Sequence, residues 1–214
     1  MKSKIQEYQK NIKKSLSKTK ILFLFVLLLQ MSCNKDSETT KQDPVFQLPP
    51  ETQIGANTFG VTINGKVYVP RDRKGTGYAP TTHALVVWRN PDFTWYEIEA
   101  FDGASPLGFQ IYIHMQPLVL GKLVLNKSNF HKDVDSIPFT HIYFNVWDSK
   151  INKYAYYGSI ENEGEINITK LAGGILSGNF KGKFFRYDSP DDIIEITDGR
   201  FDINGFTLPN QIFP

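Results

Sequence analysis

Cysteine is almost absent from this sequence, which has Cys33 as its only thiol in 214 residues. A single cysteine cannot form a disulfide within the chain, so the folded state is stabilised without one. Long apolar runs are lacking as well, because the apolar segment Ile21–Leu29 has only nine residues. Nine helical residues span about 14 Å, against about 30 Å of membrane hydrocarbon, which excludes a stable transmembrane helix at this segment.

Familiar catalytic motifs are also missing. The four histidines show no HxH or HExxH spacing, which excludes the common zinc-binding patterns. These histidines are His83, His114, His131 and His141. No GxSxG nucleophile elbow occurs, and no glycine-rich phosphate loop precedes a helix. His114 and His141 fall on the polar faces of two predicted strands and could meet across a sheet, although solvent-facing or hydrogen-bonded strand histidines are the favoured interpretation.

The N-terminal segment is typical of a secretory signal. Residues 1–20 hold seven lysines and one glutamate, the apolar run follows, and the small residue Ser32 precedes Cys33. Cys33 resembles the lipidated cysteine of a bacterial lipoprotein signal, whose thiol receives a diacylglycerol and whose new N-terminus receives a third acyl chain. Two or more acyl chains anchor a protein stably. We therefore expect a lipid anchor on Cys33, with an ordinary secreted protein as the alternative.

The residues after the cysteine favour the outer membrane. Asn34–Glu38 is similar to the acidic export signal that sends many Bacteroidetes lipoproteins to the outer face of the outer membrane, and a solvated linker is the alternative.

The chain after the signal segment is mildly acidic. Residues 1–33 hold seven of the 24 basic and one of the 22 acidic residues, so the chain after Cys33 has 17 basic and 21 acidic residues and a net charge of about −4. This mildly acidic surface argues against nucleic acid as a partner.

Composition divides the chain into three parts. Residues 1–33 form the signal segment that ends at the lipidated cysteine, residues 34–50 a disordered tether, and residues 51–214 a single all-β domain. The tether is polar, contains three prolines and has no hydrophobic periodicity. The rest of the chain has a length that suits one domain, which buries about 70% of its unfolded-chain surface.

The domain is rich in strand signals and has no convincing amphipathic helix. Asn64-Gly65 between two apolar runs predicts a two-residue hairpin turn. Gly108–Met115 and His141–Asp148 alternate apolar and polar residues, as half-buried strands do. We expect about ten antiparallel strands, closed as a β-sandwich or a partly open barrel. Ile175–Tyr187 is long and contains glycines, so we expect this strand to curve.

Both ends of this domain resemble a known group of sequences. The block Leu48–Gly60, followed by Asn64-Gly65-Lys66, and the late segments Leu176–Phe180 and Ile196–Asp202 are similar to uncharacterised Bacteroidetes lipoproteins with an LPPxTQxGxNTFG-like block. The resemblance implies a surface lipoprotein with an all-β domain and implies no catalytic residue. The block is expected to place an edge hairpin on the sheet, with a ligand loop at Thr52–Asn57 as the alternative.

Aromatic residues supply the candidate binding site. Tyr112, Tyr143 and Trp147 fall opposite the aliphatic faces of their strands, where an open face would stack on sugar rings or on a protein partner. A buried core position is the favoured alternative for all three.

Two groups of carboxylates are further candidate sites. The turn with Asp188, Asp191 and Asp192 is a calcium candidate; otherwise no metal or cofactor is predicted. Glu97 and Glu99 share one strand face, as a glycosidase carboxylate pair could.

Three functions follow from these observations. The first is a non-enzymatic, surface-anchored or outer-membrane lipoprotein that binds a glycan or a protein. The second is a structural or accessory envelope component that acts within a complex. The third is a hydrolase whose carboxylate site is dispersed along the sequence.

Overall fold

The computed structural model describes residues 46–75, 82–132 and 138–214. The predictions about Cys33, the signal segment and the tether up to residue 45 lie outside these residues. Within the described residues, no helix is long and apolar enough to cross a membrane.

Residues 46–50, assigned to the tether from their composition, have no regular secondary structure but contact the domain. The ring of Phe46 lies 5.0 Å from the guanidinium carbon of Arg71. The carbonyl of Pro49 accepts a hydrogen bond of 3.1 Å from the guanidinium of Arg200. The last residues before the domain are therefore held against it by two cationic side chains.

The described chain is nearly all β, as the sequence predicts. Its elements are β1 Thr58–Ile63, β2 Lys66–Tyr68, β3 Leu85–Arg89, β4 Tyr96–Phe101, β5 Gln110–Met115, β6 Gly121–Val124, β7 His141–Asp148, β8 Lys153–Ala172, β9 Ile175–Arg186, β10 Ser189–Asn204 and a 3-10 turn at Leu208–Asn210. The strands form one antiparallel sheet that curves into a half-barrel, so the partly open barrel is the closure that forms. The strand order is β2-β1-β10-β9-β8-β7-β5-β4-β3, and β6 pairs onto β8.

The β1–β2 hairpin lies at one edge of the sheet, as expected for the NGK turn. Asn64 and Gly65 have φ angles of 45° and 78°. Positive φ at both central positions is what a type I′ turn requires, and asparagine followed by glycine adopts it at low cost. The predicted turn is therefore confirmed in position and in backbone conformation.

The curvature of the sheet comes from the three long strands β8, β9 and β10. β8 pairs with β7 through its first residues and with β6 further on, while its pairing with β9 shifts register between Ser159 and Gly164. A Cβ atom on Gly178 in β9 would lie 2.5 Å from the carbonyl oxygen of Asn167 and 2.7 Å from the ring of Phe201. Glycine at this position therefore permits the close packing that the curved strands need.

The hydrophobic core lies on the inner face of the half-barrel. Alternate residues of each strand point inward, and the largest are fully buried. They include Ile98, Ile111, Ile113, Ile142, Phe144, Ile166, Phe180, Phe184, Ile196 and Phe201. The other alternation of β4, β5 and β7 points outward and carries polar and aromatic side chains.

A buried carboxylate joins the N-terminal loop to β10. Asp202 is 1% exposed and accepts hydrogen bonds from three backbone N–H groups and two hydroxyls. The donors are Ile54 N (3.2 Å), Gly55 N (2.9 Å), Ala56 N (3.1 Å), Thr52 Oγ1 (2.5 Å) and Ser177 Oγ (2.6 Å). Burial alone would raise the pKa of Asp202, but these hydrogen bonds outweigh burial and lower its pKa below the ordinary aspartate value.

This carboxylate gives the loop Thr52–Asn57 a packing role. Gly55 has a φ of 74°, and a Cβ atom there would lie 2.7 Å from the Cβ of Asn204. Asn57 accepts a hydrogen bond from the backbone N–H of Asn204 and donates one to Thr207. The loop is thus fixed to the end of β10, and the two ends of the domain singled out in the sequence meet at Asp202.

Candidate functional site

The predicted aromatic face is largely covered. Tyr112 and Tyr143 are opposite each other on β5 and β7, with ring centroids 4.9 Å apart, whereas Trp147 packs against Tyr154 further along. Tyr112 is only 1% exposed, which fits the favoured core position at this residue and not an open platform. Tyr143 and Trp147 are half-buried.

Two aromatic residues in the described parts of the chain between β6 and β7, Phe130 and Phe139, contribute to the cover over this outer face. Phe130 contacts the rings of Tyr143, Phe185 and Tyr187 at centroid distances of 6.2, 5.4 and 5.1 Å. Phe139 contacts His141 at 4.6 Å. Strand alternation reveals which residues share a face, and Phe130 and Phe139 cover part of that face.

Beneath the cover lies a cluster of titratable side chains from three strands. Glu97 of β4 accepts a short hydrogen bond from the hydroxyl of Tyr112, and its Oε1 lies 3.3 Å from His114 Nδ1. His114 is opposite His141 on the neighbouring strand, with ring centroids 6.0 Å apart. The sequence predicts that these histidines could meet across a sheet, and they do so as buried residues.

Burial and neighbouring charges shift the pKa values of this cluster. Burial would raise the pKa of Glu97, but hydrogen bonds from His114 and Tyr112 lower it overall. Burial is the main cause that raises the pKa of Tyr112 well above its usual range, and the hydrogen bond to the Glu97 carboxylate raises it further. Burial is the main cause that lowers the pKa of His141 to about 3, and the electrostatic effect of His114 acts in the same direction. His141 is therefore a neutral imidazole at physiological pH.

The cluster does not have the arrangement of a nucleophile, a base and an orienting acid. Ser128 Oγ lies 3.0 Å from Nδ1 of His141, but the Glu97 carboxylate lies on the other histidine, His114. In a catalytic triad one histidine contacts both the nucleophile and the acid. Ser128 Oγ also accepts a hydrogen bond of 3.1 Å from the backbone N–H of Phe130, which fixes the cover. The described contacts form a buried hydrogen-bonded network.

The turn predicted as a calcium candidate holds an arginine side chain among its carboxylates. Arg186 donates a hydrogen bond of 2.6 Å to Asp188 and bonds of 3.2 Å to Asp192 and Asp148. The guanidinium thus supplies the positive charge that calcium was predicted to supply. Asp191, the third predicted ligand, is exposed in the same segment. Among the described residues, no group of three or more metal-ligating side chains is arranged to hold an ion.

An apolar groove that the sequence did not predict opens beside the edge strand β3. It has a volume of about 530 Å³ and lies between β3 and the residues that follow β10. Its apolar walls are Leu85, Val87, Phe93, Tyr96, Phe206 and Leu208. Phe93 and Phe206 are 51% and 71% exposed. We call this feature the β3 groove.

The backbone of β3 is open along the β3 groove. Phe101 N–H donates to the carbonyl of Ala84 at 2.9 Å, so Ala84 belongs to a hydrogen-bonded pair of the β3–β4 ladder. Such pairs alternate in antiparallel sheets, so the N–H and C=O groups of Leu85, Val87 and Arg89 point away from β4. In the described part of the chain β3 pairs with β4 alone, which leaves these groups without a partner strand.

The charge of the β3 groove is positive at one end. The guanidinium carbon of Arg89 lies 4.1 Å from the ring centroid of Phe93. Burial raises the pKa of the neighbouring Tyr96, and the positive charge of Arg89 partly offsets this rise. None of the described residues that line the groove is an aspartate or a glutamate. The groove therefore combines apolar walls, open backbone groups and a cation that has no ion pair in the part of the chain that the structure describes.

A second, shallower groove of about 410 Å³ lies on the outer face near the β7–β8 pair. It is lined by the aromatic residues Tyr154 and Tyr156 and by the amides Gln110 and Asn145. Tyr156 is about half exposed. Aromatic rings beside amides are a combination that suits sugar rings, so this groove is the place where a glycan would be tested first.

Comparison with known proteins adds no assignment to either groove. The chain matches no family model, and no curated protein or solved structure is significantly similar to it. The resemblance to Bacteroidetes lipoproteins therefore stays a prediction.

Part of the β3 groove could have been found in the sequence. Phe93 directly follows the turn sequence Asn90-Pro91-Asp92, and Phe206 follows Asn204-Gly205. Large aromatic residues within turns are exposed unless another segment covers them. No local signal, however, brings residues 93 and 206 together across one groove.

Proposed function

We propose that this chain is a lipid-anchored binding protein of the outer membrane, held by Cys33, that binds its ligand in the β3 groove without converting it. The signal segment and the cysteine support the anchor. The apolar groove supports binding, and the split of Ser128–His141 from His114–Glu97 weighs against hydrolysis.

The observation that carries the proposal is the exposure of two aromatic side chains at the rims of one apolar groove. Burying a phenylalanine side chain is worth about 1.5–3 kcal/mol. Contiguous exposed apolar surface on a folded domain marks an interaction site more often than chance. Phe93 and Phe206 together therefore provide enough apolar area to anchor a ligand at the β3 groove.

The anchor is tested by fatty-acid labelling of the full chain in a Gram-negative host. Wild type should incorporate the label and appear in the outer-membrane fraction, whereas Cys33→Ser should do neither. Ser32→Ala keeps a small residue before the cysteine and serves as the control. A Cys33→Ser protein that is still labelled and membrane-bound contradicts the anchor.

The groove is tested with glycan arrays and displayed peptide libraries applied to the full lipidated chain in nanodiscs. Phe206→Ser should abolish ligand binding at the β3 groove. Tyr156→Ser should abolish it only if the ligand occupies the second groove. Ile54→Ser removes an apolar side chain that is 74% exposed and belongs to neither groove, so it is the matched control. Binding that survives Phe206→Ser unchanged refutes the assignment to the β3 groove.

A further inference from the structure

We infer that the β3 groove binds an extended peptide segment with alternating apolar side chains and an acidic residue, and that this segment pairs with β3 as an additional strand. The inference rests on the proposed function, because it names the ligand class for the same groove. It is carried by the open backbone of β3, by the apolar walls and by the charge of Arg89.

The backbone of β3 offers hydrogen-bonding groups in the pattern of a strand. The outward N–H and C=O groups belong to every second residue, Leu85, Val87 and Arg89, and successive sets are about 6.6 Å apart. A strand that lies about 4.8 Å from β3 presents acceptors and donors with the same repeat. Addition of a strand to an open sheet edge is an established mode of peptide recognition.

The walls of the β3 groove determine the side-chain pattern of the peptide. Leu85 and Val87 point to the inner face, and Phe206 and Leu208 face them across the groove. Successive side chains of a strand point to opposite faces. Every second side chain of the added strand therefore enters the apolar groove, while the others lie on the outer side near Trp88, which is exposed.

Arg89 determines the charge of the peptide. Its guanidinium stacks on Phe93, forms no ion pair within the described residues, and lies in a groove without carboxylates. An aspartate, a glutamate or a C-terminal carboxylate next to Arg89 would form a charge-assisted hydrogen bond. A second copy of this chain fits less well, because pairing through β3 brings a second Arg89 and, from the described lining residues, no carboxylate to the groove.

The test selects random displayed dodecapeptides on the full lipidated chain in nanodiscs and measures binding of the synthetic peptides by fluorescence anisotropy. We expect selected sequences to alternate apolar residues and to contain an acidic residue. N-methylation of alternate amides removes the donors that would face β3, and we expect it to weaken binding about tenfold or more. N-methylation of the intervening amides is the matched control.

Two variants of the protein test the same contacts from the other side. Arg89→Gln should weaken binding of the acidic peptide about fivefold and leave its glutamine analogue unchanged; Lys150→Gln, in the exposed turn between β7 and β8, is the control. Val87→Pro removes one outward N–H without removing a bond to β4. If Val87→Pro does not fold, the N-methylated peptides still provide the test.

The outcomes separate the inference from the proposed function. The inference is overturned if peptide affinity is unchanged by N-methylation of the alternate amides or by Arg89→Gln. Glycan binding that depends on Phe206, without peptide binding, overturns the inference and leaves the proposed function intact. Binding of neither glycan nor peptide contradicts both. Self-association abolished by Val87→Pro would assign the edge to a second copy and also overturn the inference.

Discussion

Replacing Asp202 by asparagine removes the charge that holds the N-terminal loop on β10. In the native domain Oδ1 accepts bonds from Gly55 N and Ser177 Oγ, and Oδ2 accepts bonds from Thr52 Oγ1, Ile54 N and Ala56 N. Asparagine has one oxygen, so its amide NH₂ must face one of these two sets of donors. The hydroxyls can rotate to accept, but at least one backbone N–H is left buried without an acceptor.

The magnitude follows from these contacts. An unsatisfied buried donor costs about 1–3 kcal/mol, and each hydrogen bond that loses its charged partner loses part of its roughly 1.5–3 kcal/mol. We expect Asp202→Asn to lower the free energy of unfolding by about 3–5 kcal/mol, a large share of the roughly 5–15 kcal/mol of a typical domain. Asp198→Asn, which affects only a surface ion pair with Arg200, should cost less than about 1 kcal/mol.

The effect depends on pH in a defined direction. The pKa of Asp202 is lower in the folded state than in the unfolded chain. The contribution of the carboxylate is therefore complete above about pH 4, the unfolded value, and is lost as pH falls through the folded pKa. Urea unfolding of residues 46–214 should show that the difference between wild type and Asp202→Asn shrinks below this pH. The reasoning would be refuted if Asp202→Asn changed the free energy of unfolding by less than about 1 kcal/mol, or if the difference from wild type did not depend on pH.

Three further predictions concern the polar network and the core. Tyr112→Phe removes the donor to Glu97 and should cost about 1–3 kcal/mol in urea unfolding, whereas Tyr156→Phe, at an exposed position, should cost almost nothing; equal effects would contradict the network. Phe180→Ala should cost about 3–5 kcal/mol through the cavity that it leaves, and a loss below about 1 kcal/mol would contradict its core position. The imidazole of His141 should show no titration by NMR between about pH 5 and pH 8, because burial lowers its pKa to about 3, and a midpoint within that range would contradict its burial.

Much of the fold could be predicted from short-range patterns. Alternation placed Ile111, Ile113 and Ile142 on the core face, and Asn64-Gly65 defined the edge hairpin. The local pattern determines these features because side chains alternate along a strand and a type I′ turn needs particular residues. The choice between sandwich and half-barrel depends on the register shifts of the long strands, which no local pattern encodes.

The candidate site was harder to predict, because it depends on contacts between distant residues. The alternation of β5 and β7 shows that Tyr112 and Tyr143 share a face, but not that Phe130 and Phe139 cover it. The β3 groove is likewise formed by segments more than a hundred residues apart. In the same way, the sequence shows the carboxylates that made the acidic turn a calcium candidate, but not that Arg186 lies among them.

Binding of the ligand to β3 is the central prediction. The most direct measurement is amide hydrogen exchange of the full lipidated chain in nanodiscs, with and without a selected peptide. We predict slower exchange at Leu85, Val87 and Arg89, whose N–H groups point away from β4, and little change at Val86 and Trp88, which are already bonded to β4. Unchanged exchange at the three outward amides, with new protection elsewhere on the domain, would contradict the account.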